Sequence, residues 1–565
     1  MVLSFRLELR NGLLLRPAGP ERSGQLPMSV NSMKTANAGR NDGPAQRGAA
    51  KSPESPGWRR ELRCAARWLL VAVGLLGGEV GAGPTNLAQL RGALMDSIAS
   101  LKAPGAAWGV QVVKLSDGAP VVSINADRQF VPASCTKLFT TALALERLGA
   151  GFRIVTPLRA DGEVDANGTL HGNLVWEGHG APDLGERRSG SVAAALAPYA
   201  DAVVRAGIRR VDGAVLVDES GFHTTPFGSG WNWDDLAEAY GAAVSSLSFN
   251  DNVAQVSVRP GAVGQPAVIQ VTPMPELYNL HNQTRTGPPN GAKQLTFERL
   301  PGSRDLWVSG SLPSGHAGHE EHLSVPEPAA AAGRLLREAL TQRGIAISQT
   351  VQVLGWRDRP GVGGRGRWIG AVTSAPLAEL VRECLKPSQN LHAQLLLLQV
   401  GADVEAHPRG GEAAGTTTDE SALRGLDLFL QSLGIARDEY SFEEGSGLSR
   451  KNLVTPAVTV RLLRYMARQA KAPARAAWWE ALPVGGVDGT LKGRFTTAPA
   501  RGNVRAKTGT LRHIHSLAGY VTTAGGDALA FTVYLNGLVT TDSRTSGRGE
   551  VDRLIEILAA YPGRL

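Results

Sequence analysis

Apolar positions along this chain first recur at helical spacing, then alternate in short β-like runs, then return to helical spacing. Leu87, Leu90, Leu94 and Ile98 share one helical face, which predicts an amphipathic helix over 86–101. Two β-rich runs follow, 108–115 and 120–124, joined by Ser116-Asp-Gly118, a hairpin signal. Val131-Pro-Ala-Ser-Cys-Thr-Lys137 then opens the apolar run 138–148. Proline suits the first turn of a helix, so Ser134 is expected near a helix N-terminus. From about 155 to 355 the texture changes to short strands (172–176, 213–218, 253–259, 268–271, 305–309) between Gly, Pro and Asn turns, with helices at 192–206 and 328–342. Helical spacing returns at 376–384, 390–399, 417–433 and 455–469. The chain closes with a strand pair, 517–521 and 528–536, and a helix over 551–560 that carries no basic membrane face, so no C-terminal anchor is expected.

Composition narrows the picture. With 565 residues, 42% of them hydrophobic, the chain can bury a large core, in about three or four units by the length prior. Gly 68 and Pro 33 against 5% aromatic residues imply many loops and turns. The net charge of +8 sits mostly in residues 1–82, which hold 12 Lys+Arg against 6 Asp+Glu, so no nucleic-acid partner is expected of the rest. An apolar run over 68–78 follows Arg59, Arg60, Arg63 and Arg67 and precedes Val80-Gly-Ala-Gly83, the layout of a secretory signal and shorter than a membrane span of about 20 residues. Residues 59–82 are therefore expected to be a signal peptide, with a single-pass anchor as the alternative. Residues 1–58 are polar and read as a disordered extension or as sequence upstream of the true translation start. Of Cys64, Cys135 and Cys384, the last two are expected to be buried free thiols.

Chemistry enters through three short motifs in order: Ser134-Cys-Thr-Lys137, Ser388-Gln-Asn390 and Lys507-Thr-Gly509. Each alone is weak; together, with a helix after the first and strands around the third, they match the S-x-x-K, S-D-N and K-T-G set of penicillin-recognising serine enzymes. Helix positions i and i+3 share a face, so the Lys137 amine is expected within reach of the Ser134 hydroxyl, and it serves as a base only when neutral. Burial and a second cation, Lys507, each favour the neutral amine. Ser388 is expected to relay a proton to the leaving amine, and Asn390 to orient Lys137 and the substrate amide. Lys507 and Thr508 are expected to bind a terminal carboxylate. Gly509 would keep the strand edge open to a peptide, and the N–H groups of Ser134 and Thr510 would form the oxyanion hole.

The chain resembles the D-alanyl-D-alanine carboxypeptidase/endopeptidase family, the class C low-molecular-mass penicillin-binding proteins of the penicillin-binding protein 4 type, over residues 86–562. Beyond the three motifs the resemblance rests on Gly230-Trp-Asn-Trp-Asp-Asp-Leu236, Ser246-Leu-Ser-Phe-Asn-Asp-Asn252, Gly445-Ser-Gly-Leu-Ser-Arg450 with Asn452, Asp488-Gly-Thr-Leu491 and Leu517-Ala-Gly-Tyr520. It implies an α/β (α+β) fold: a β-lactamase/transpeptidase-like domain, an antiparallel sheet flanked by helices, interrupted by a β-rich two-part insertion between the first two motifs. Ser388 lies 254 positions after Ser134, which leaves room for it. The implied division is 83–155 and 355–565 for the transpeptidase-like domain and 156–354 for the insertion, with an inner insertion near 176–256. The implied activity is serine-type cleavage of D-Ala-D-Ala termini and D-Ala cross-links in peptidoglycan peptides, without cofactor or metal. β-Lactam antibiotics would acylate Ser134, the protein would be periplasmic with peripheral or no membrane association, and a homodimer is left open. Asp235 and Arg450 would bind the zwitterionic end of a diaminopimelate side chain, with Leu511 lining that pocket. The chain departs from the family pattern at Gln389, where Asp is usual, at Gly178-His-Gly-Ala-Pro182 and at Glu443-Glu444.

A serine β-lactamase shares these motifs, although the long insertion argues against it, and a wall-binding scaffold with vestigial motifs is disfavoured by intact Ser134, Lys137, Asn390 and Lys507. His316-Ala-Gly-His-Glu-Glu-His322 has metal-ligand spacing but no helical pattern and reads as a solvated loop. Gly361-Val-Gly-Gly-Arg-Gly366 fits a dinucleotide fingerprint in letters only, with no strand before it, and reads as a hairpin loop. His513 and His515 alternate about Ile514 and are expected to face solvent.

Overall fold

The computed structural model describes residues 83–358, 364–410, 412, 414–540, 542 and 545–565. The expected signal segment, the extension before it, Cys64 and the first half of the 361–366 loop lie outside the described residues.

The strand pair expected near the C-terminus becomes the centre of a five-stranded antiparallel sheet in the order Arg505–Leu511, Ile514–Thr522, Ala528–Asn536, Ala107–Lys114 and Pro120–Ile124. Both faces are apolar, and strand alternation divides them. Leu529, Phe531, Val533 and Leu535 pack toward helices Leu87–Ala99 and Gly547–Ala560. Ala530 and Tyr534 face the opposite core, built from helices Thr136–Leu148, Leu377–Leu385, Asn390–Ala406, Thr418–Ser432 and Pro456–Arg468. The sheet is thus sandwiched between helical layers, as expected. A helix over Ala472–Ala481, for which the sequence offers no clear apolar stripe, also packs into this layer.

Helix Asn390–Ala406 is buried at every position from Asn390 to Gly401, so it is covered on all sides there, and its apolar residues follow no single stripe. Ala393, Leu396 and Leu397 join the helical core, whereas Leu391, Leu395 and Leu398 meet Phe222 and Val244 from the middle of the chain.

The middle of the chain forms a second, seven-stranded mixed sheet that includes Val155–Val164, Thr169–Glu177, Val215–Asp218 and Arg367–Thr373. Arg367–Thr373 is its edge strand and lies beyond the 354 boundary expected from sequence. Helices Val192–Arg205 and Pro328–Thr341 cover this sheet. Two three-stranded sheets share its core, one centred on Val253–Arg259 and one on Asp305–Pro313. The His316–His322 segment is not wholly a loop: His319–Ser324 pairs antiparallel with Val253–Arg259. Its first four residues are all polar, with Glu320 and His322 exposed and His319 and Glu321 half-buried, so the apolar alternation that marks a strand is missing from the sequence.

Candidate active site

Ser134 stands on a strained turn. Pro132 is followed by Ala133 at φ +48°, a rare conformation for a residue with a Cβ, then by a short 3₁₀ turn and helix Thr136–Leu148. Two glycines from distant parts of the chain press on this turn. A Cβ on Gly447, itself at φ +81°, would lie 1.9 Å from the Ala133 carbonyl oxygen. A Cβ on Gly509 would lie 2.7 Å from the Pro132 carbonyl oxygen and 3.1 Å from the Ser134 nitrogen. The close approach that requires Gly509 is therefore to the turn carrying Ser134, rather than to an incoming peptide.

One helical turn on, Lys137 is fully buried with its Nζ 3.0 Å from Ser134 Oγ. The amine also donates to Asn390 Oδ1 at 2.6 Å and to the Ser446 carbonyl at 2.5 Å. Burial lowers its pKa from 10.5 to about 8, against the opposing pull of Cys384, Glu444 and Cys135. A neutral amine keeps two N–H groups, enough for Asn390 and Ser446, and its lone pair is left facing Ser134. The Asn390 amide is fixed in that sense because its Nδ2 donates to the Tyr240 carbonyl at 2.8 Å.

Ser446 is held by Glu444, whose buried carboxylate accepts from Ser446 N (2.7 Å), Ser446 Oγ (2.5 Å), Gly447 N (2.6 Å) and Asn452 Nδ2 (2.8 Å). The sequence reading gave neither Ser446 nor Glu444 a role, although Ser446 is the serine of the Gly-Ser-Gly motif and Glu444 precedes it. The Glu443-Glu444 departure thus includes a buried anchor.

Opposite Lys137, Lys507 is also fully buried, and its Nζ donates to Ser388 Oγ and to the Thr508 carbonyl, each at 2.7 Å. Burial and the nearby Lys137 lower its pKa to about 7. Ser388 sits at φ +68°, just before the helix that Asn390 begins. Gln389 is the N-cap of that helix but makes no side-chain bond to it. Cys135 and Cys384 are free and buried beside the two lysines, and burial raises their thiol pKa values to about 12 and 11.

Strand Arg505–Leu511 is an edge strand, and among the described residues its ladder partner in the sheet is Ile514–Thr522 alone. Leu511 and Ile514 close the hairpin, so by antiparallel alternation Gly509 and Lys507 bond inward while Thr508 and Thr510 carry their N–H groups toward the outer edge. Two contacts agree with that parity: the Thr508 carbonyl meets Lys507 Nζ, and Ala506 N donates outward to Pro483. Thr510 is exposed and Leu511 half-buried at the hairpin end, where Arg450 Nη1 donates to the Arg512 carbonyl at 3.3 Å. Asp235 is half-buried and accepts from Tyr240 Oη at 2.9 Å. Its pKa is raised by burial, with the Tyr240 hydrogen bond and the Arg450 charge opposing. Tyr240, which the sequence reading missed, therefore ties Asp235 to Asn390.

The two histidines differ from one another, and only His515 departs from the expectation of a solvent-facing side chain. His513 is exposed, with Nδ1 2.9 Å from the Leu538 carbonyl. His515 is half-buried against Gly547, and burial lowers its pKa to about 4. It does not face solvent because its strand packs beneath helix Gly547–Ala560.

Comparison with known proteins places this geometry. The profile of the family described as D-Ala-D-Ala carboxypeptidase 3 (S13) matches residues 90–557. A D-alanyl-D-alanine carboxypeptidase of Actinomadura sp. (strain R39) is 33% identical over 506 residues, which cover 86% of this chain and 89% of that protein. D-alanyl-D-alanine carboxypeptidase DacB of Haemophilus influenzae is 28% identical over 427 residues, covering 75% of this chain and 84% of that protein. The crystal structure of penicillin binding protein 4 (dacB) from Haemophilus influenzae superposes with a TM-score of 0.69 at 26% identity, covering 83% of this chain and 99% of that one. The same protein complexed with a β-lactam superposes at 0.63 and 25% identity, covering 82% of this chain and 97% of that one.

Proposed function

The chain belongs to the D-Ala-D-Ala carboxypeptidase 3 (S13) family, and from that premise we propose that it is a serine DD-peptidase that cleaves the D-Ala-D-Ala ends and D-Ala cross-links of peptidoglycan peptides through an acyl-enzyme on Ser134. The observation that carries this reading is the Lys137 amine, buried, with two acceptors for its N–H groups and Ser134 Oγ 3.0 Å away.

In the first step the Ser134 hydroxyl attacks the carbonyl carbon of the penultimate D-Ala while its proton passes to Lys137. The oxyanion is met by the N–H groups of Ser134 and Thr510, donors of a kind whose single loss costs about 10²–10³ in rate. The proton then reaches the leaving amine through Ser388, which Lys507 holds in place. The C–N bond breaks and the D-amino acid departs with that proton. In the second step water attacks the ester, gives up a proton to Lys137, and Ser134 is released with its hydroxyl restored.

Substrate selection extends the reading. Lys507 and Thr508 take the terminal carboxylate. Asp235, Arg450 and Leu511 form the pocket for the zwitterionic end of a diaminopimelate side chain, with Tyr240 orienting Asp235. β-Lactams acylate Ser134 as substrate mimics. The five-stranded sheet and its helices act as the catalytic domain, and the middle of the chain supplies substrate walls. Such substrates lie outside the cytoplasmic membrane, so the reading includes export, with 59–82 as the signal and the periplasm as the destination.

The test is release of D-alanine from a stem pentapeptide ending in D-Ala-D-Ala. The wild-type protein is expected to release it and Ser134→Ala is not. Equal release by the two proteins, or none by the wild type, would overturn the reading.

A further inference from the structure

The Asp488-Gly-Thr-Leu491 motif takes no part in the reaction derived above, yet it is built into the cleft. Asp488 bonds Lys386 Nζ through Oδ2 at 2.6 Å and Val484 N through Oδ1 at 2.9 Å. Thr490 N donates to the Lys386 carbonyl at 3.0 Å. Gly489 stands at φ +55°, and a Cβ there would lie 2.7 Å from that same carbonyl. The turn is therefore fastened to Lys386, two residues before Ser388. Its other attachment is to the third motif, because Thr508 Oγ1 donates to Thr490 Oγ1 at 2.9 Å.

Two consequences follow. Thr508 has one hydroxyl proton, and it is directed at Thr490; the hydroxyl proton left to meet an anion is that of Thr490, which is only half-buried. The same turn also closes the groove. The outer edge of strand Arg505–Leu511 is already occupied at its start, where Ala506 N donates to Pro483 and Arg505 bridges to Val484. A peptide lying along that edge has Thr508 and Thr510 to pair with and then meets the 484–491 turn. A chain end fits there, and its carboxylate arrives between the two threonine hydroxyls and Lys507.

We propose that Thr490 is a substrate-binding residue that donates its hydroxyl to the α-carboxylate of the leaving D-amino acid, sharing that anion with Lys507 and with the outward backbone N–H of Thr508. The inference rests on the acyl-transfer reading given above. It selects for a leaving residue that bears a carboxylate next to the scissile nitrogen, a property common to D-Ala termini and to cross-links made through the D-centre of diaminopimelate.

The experiment compares two substrates with the same acyl part in the full-length protein: an acyl-D-Ala-D-Ala peptide, and an acyl-D-Ala thioester whose leaving thiol carries no carboxylate. Thr490→Val removes the hydroxyl while keeping the shape. Its kcat/KM on the peptide is expected to fall by about tenfold or more, mainly through KM, as for loss of a hydrogen bond to a charged group. The fall on the thioester is expected to be several-fold smaller, so the ratio of peptide to thioester activity drops. Thr490→Ser is expected to restore most of that ratio. Thr490→Ala gives the same comparison if valine is not tolerated. Equal losses on both substrates, or no loss on the peptide, would overturn the assignment. A wild-type protein inactive on both substrates would instead remove the acyl-transfer reading itself.

Discussion

Lys137 and Lys507 are buried amines in a fold that lowers both pKa values, to about 8 and about 7. If the neutral Lys137 is the base, acylation by a penicillin is expected to rise with pH and level off above about 8, measured as the second-order rate constant of labelling. Lys137→Ala is expected to slow it by about 10³-fold at the plateau, within the range of general-base catalysis. The same burial bears on stability. An amine titrating near 10.5 in the unfolded chain and about 8 in the fold takes up a proton on unfolding between those values, so the folded state gains stability as pH rises through that window. Lys137→Met lacks this effect. Its melting temperature minus that of the wild type is therefore expected to decrease between pH 7 and pH 10, and a difference independent of pH would contradict the shift.

The element that brings the three motifs together is helix Asn390–Ala406, and much of what holds it comes from the middle of the chain. His392 is fully buried on this helix, with Nε2 2.8 Å from Asp251 Oδ1, and Asp251 also pairs with Arg187. Asp251 belongs to the Ser246–Asn252 motif and stands, like Asn250 and Asn252, at positive φ. Asp251→Ala is expected to cost about 2 kcal/mol in urea unfolding through the lost hydrogen bond to His392, and to slow acylation by loosening Asn390. Gly447→Ala is expected to abolish penicillin labelling, since its Cβ would collide with the Ala133 carbonyl beside the nucleophile. Much at this scale was legible in sequence. The three motifs, the helix after Ser134 and strand Ala528–Asn536 follow from spacing and apolar period. Ser446, Tyr240 and Thr490 were not legible, because each acts through a contact that only the fold makes, in two of them through a backbone carbonyl that any residue carries; Glu444 acts on its neighbours Ser446 and Gly447, and its role follows only from that of the Ser446 carbonyl. The edge strand His319–Ser324 was missed for a different reason: four consecutive polar residues have the composition of a loop and show no apolar alternation.

At the scale of the whole molecule, the proposed reaction and part of the proposed substrate selection draw on different parts of the chain. Ser134, Lys137, Ser388, Asn390 and Lys507 are carried by the helical layer and the five-stranded sheet, whereas Asp235 and Tyr240 come from the middle of the chain and reach Asn390 through the Tyr240 carbonyl. Asp235→Asn is accordingly expected to lower kcat/KM on a peptide ending in a free diaminopimelate amine and carboxylate by about tenfold or more, as for loss of a charge-assisted contact, with a much smaller effect on acylation by benzylpenicillin. Equal effects on both would place Asp235 in the fold rather than in recognition. The proposed reaction depends on Ser134 Oγ being the atom that carries the acyl group. Labelled penicillin, followed by digestion and mass mapping of the adduct, tests this most directly: a single adduct is expected on the peptide containing Ser134, absent in a folded Ser134→Ala protein, and an adduct on any other residue, or none in the wild type, would contradict the account.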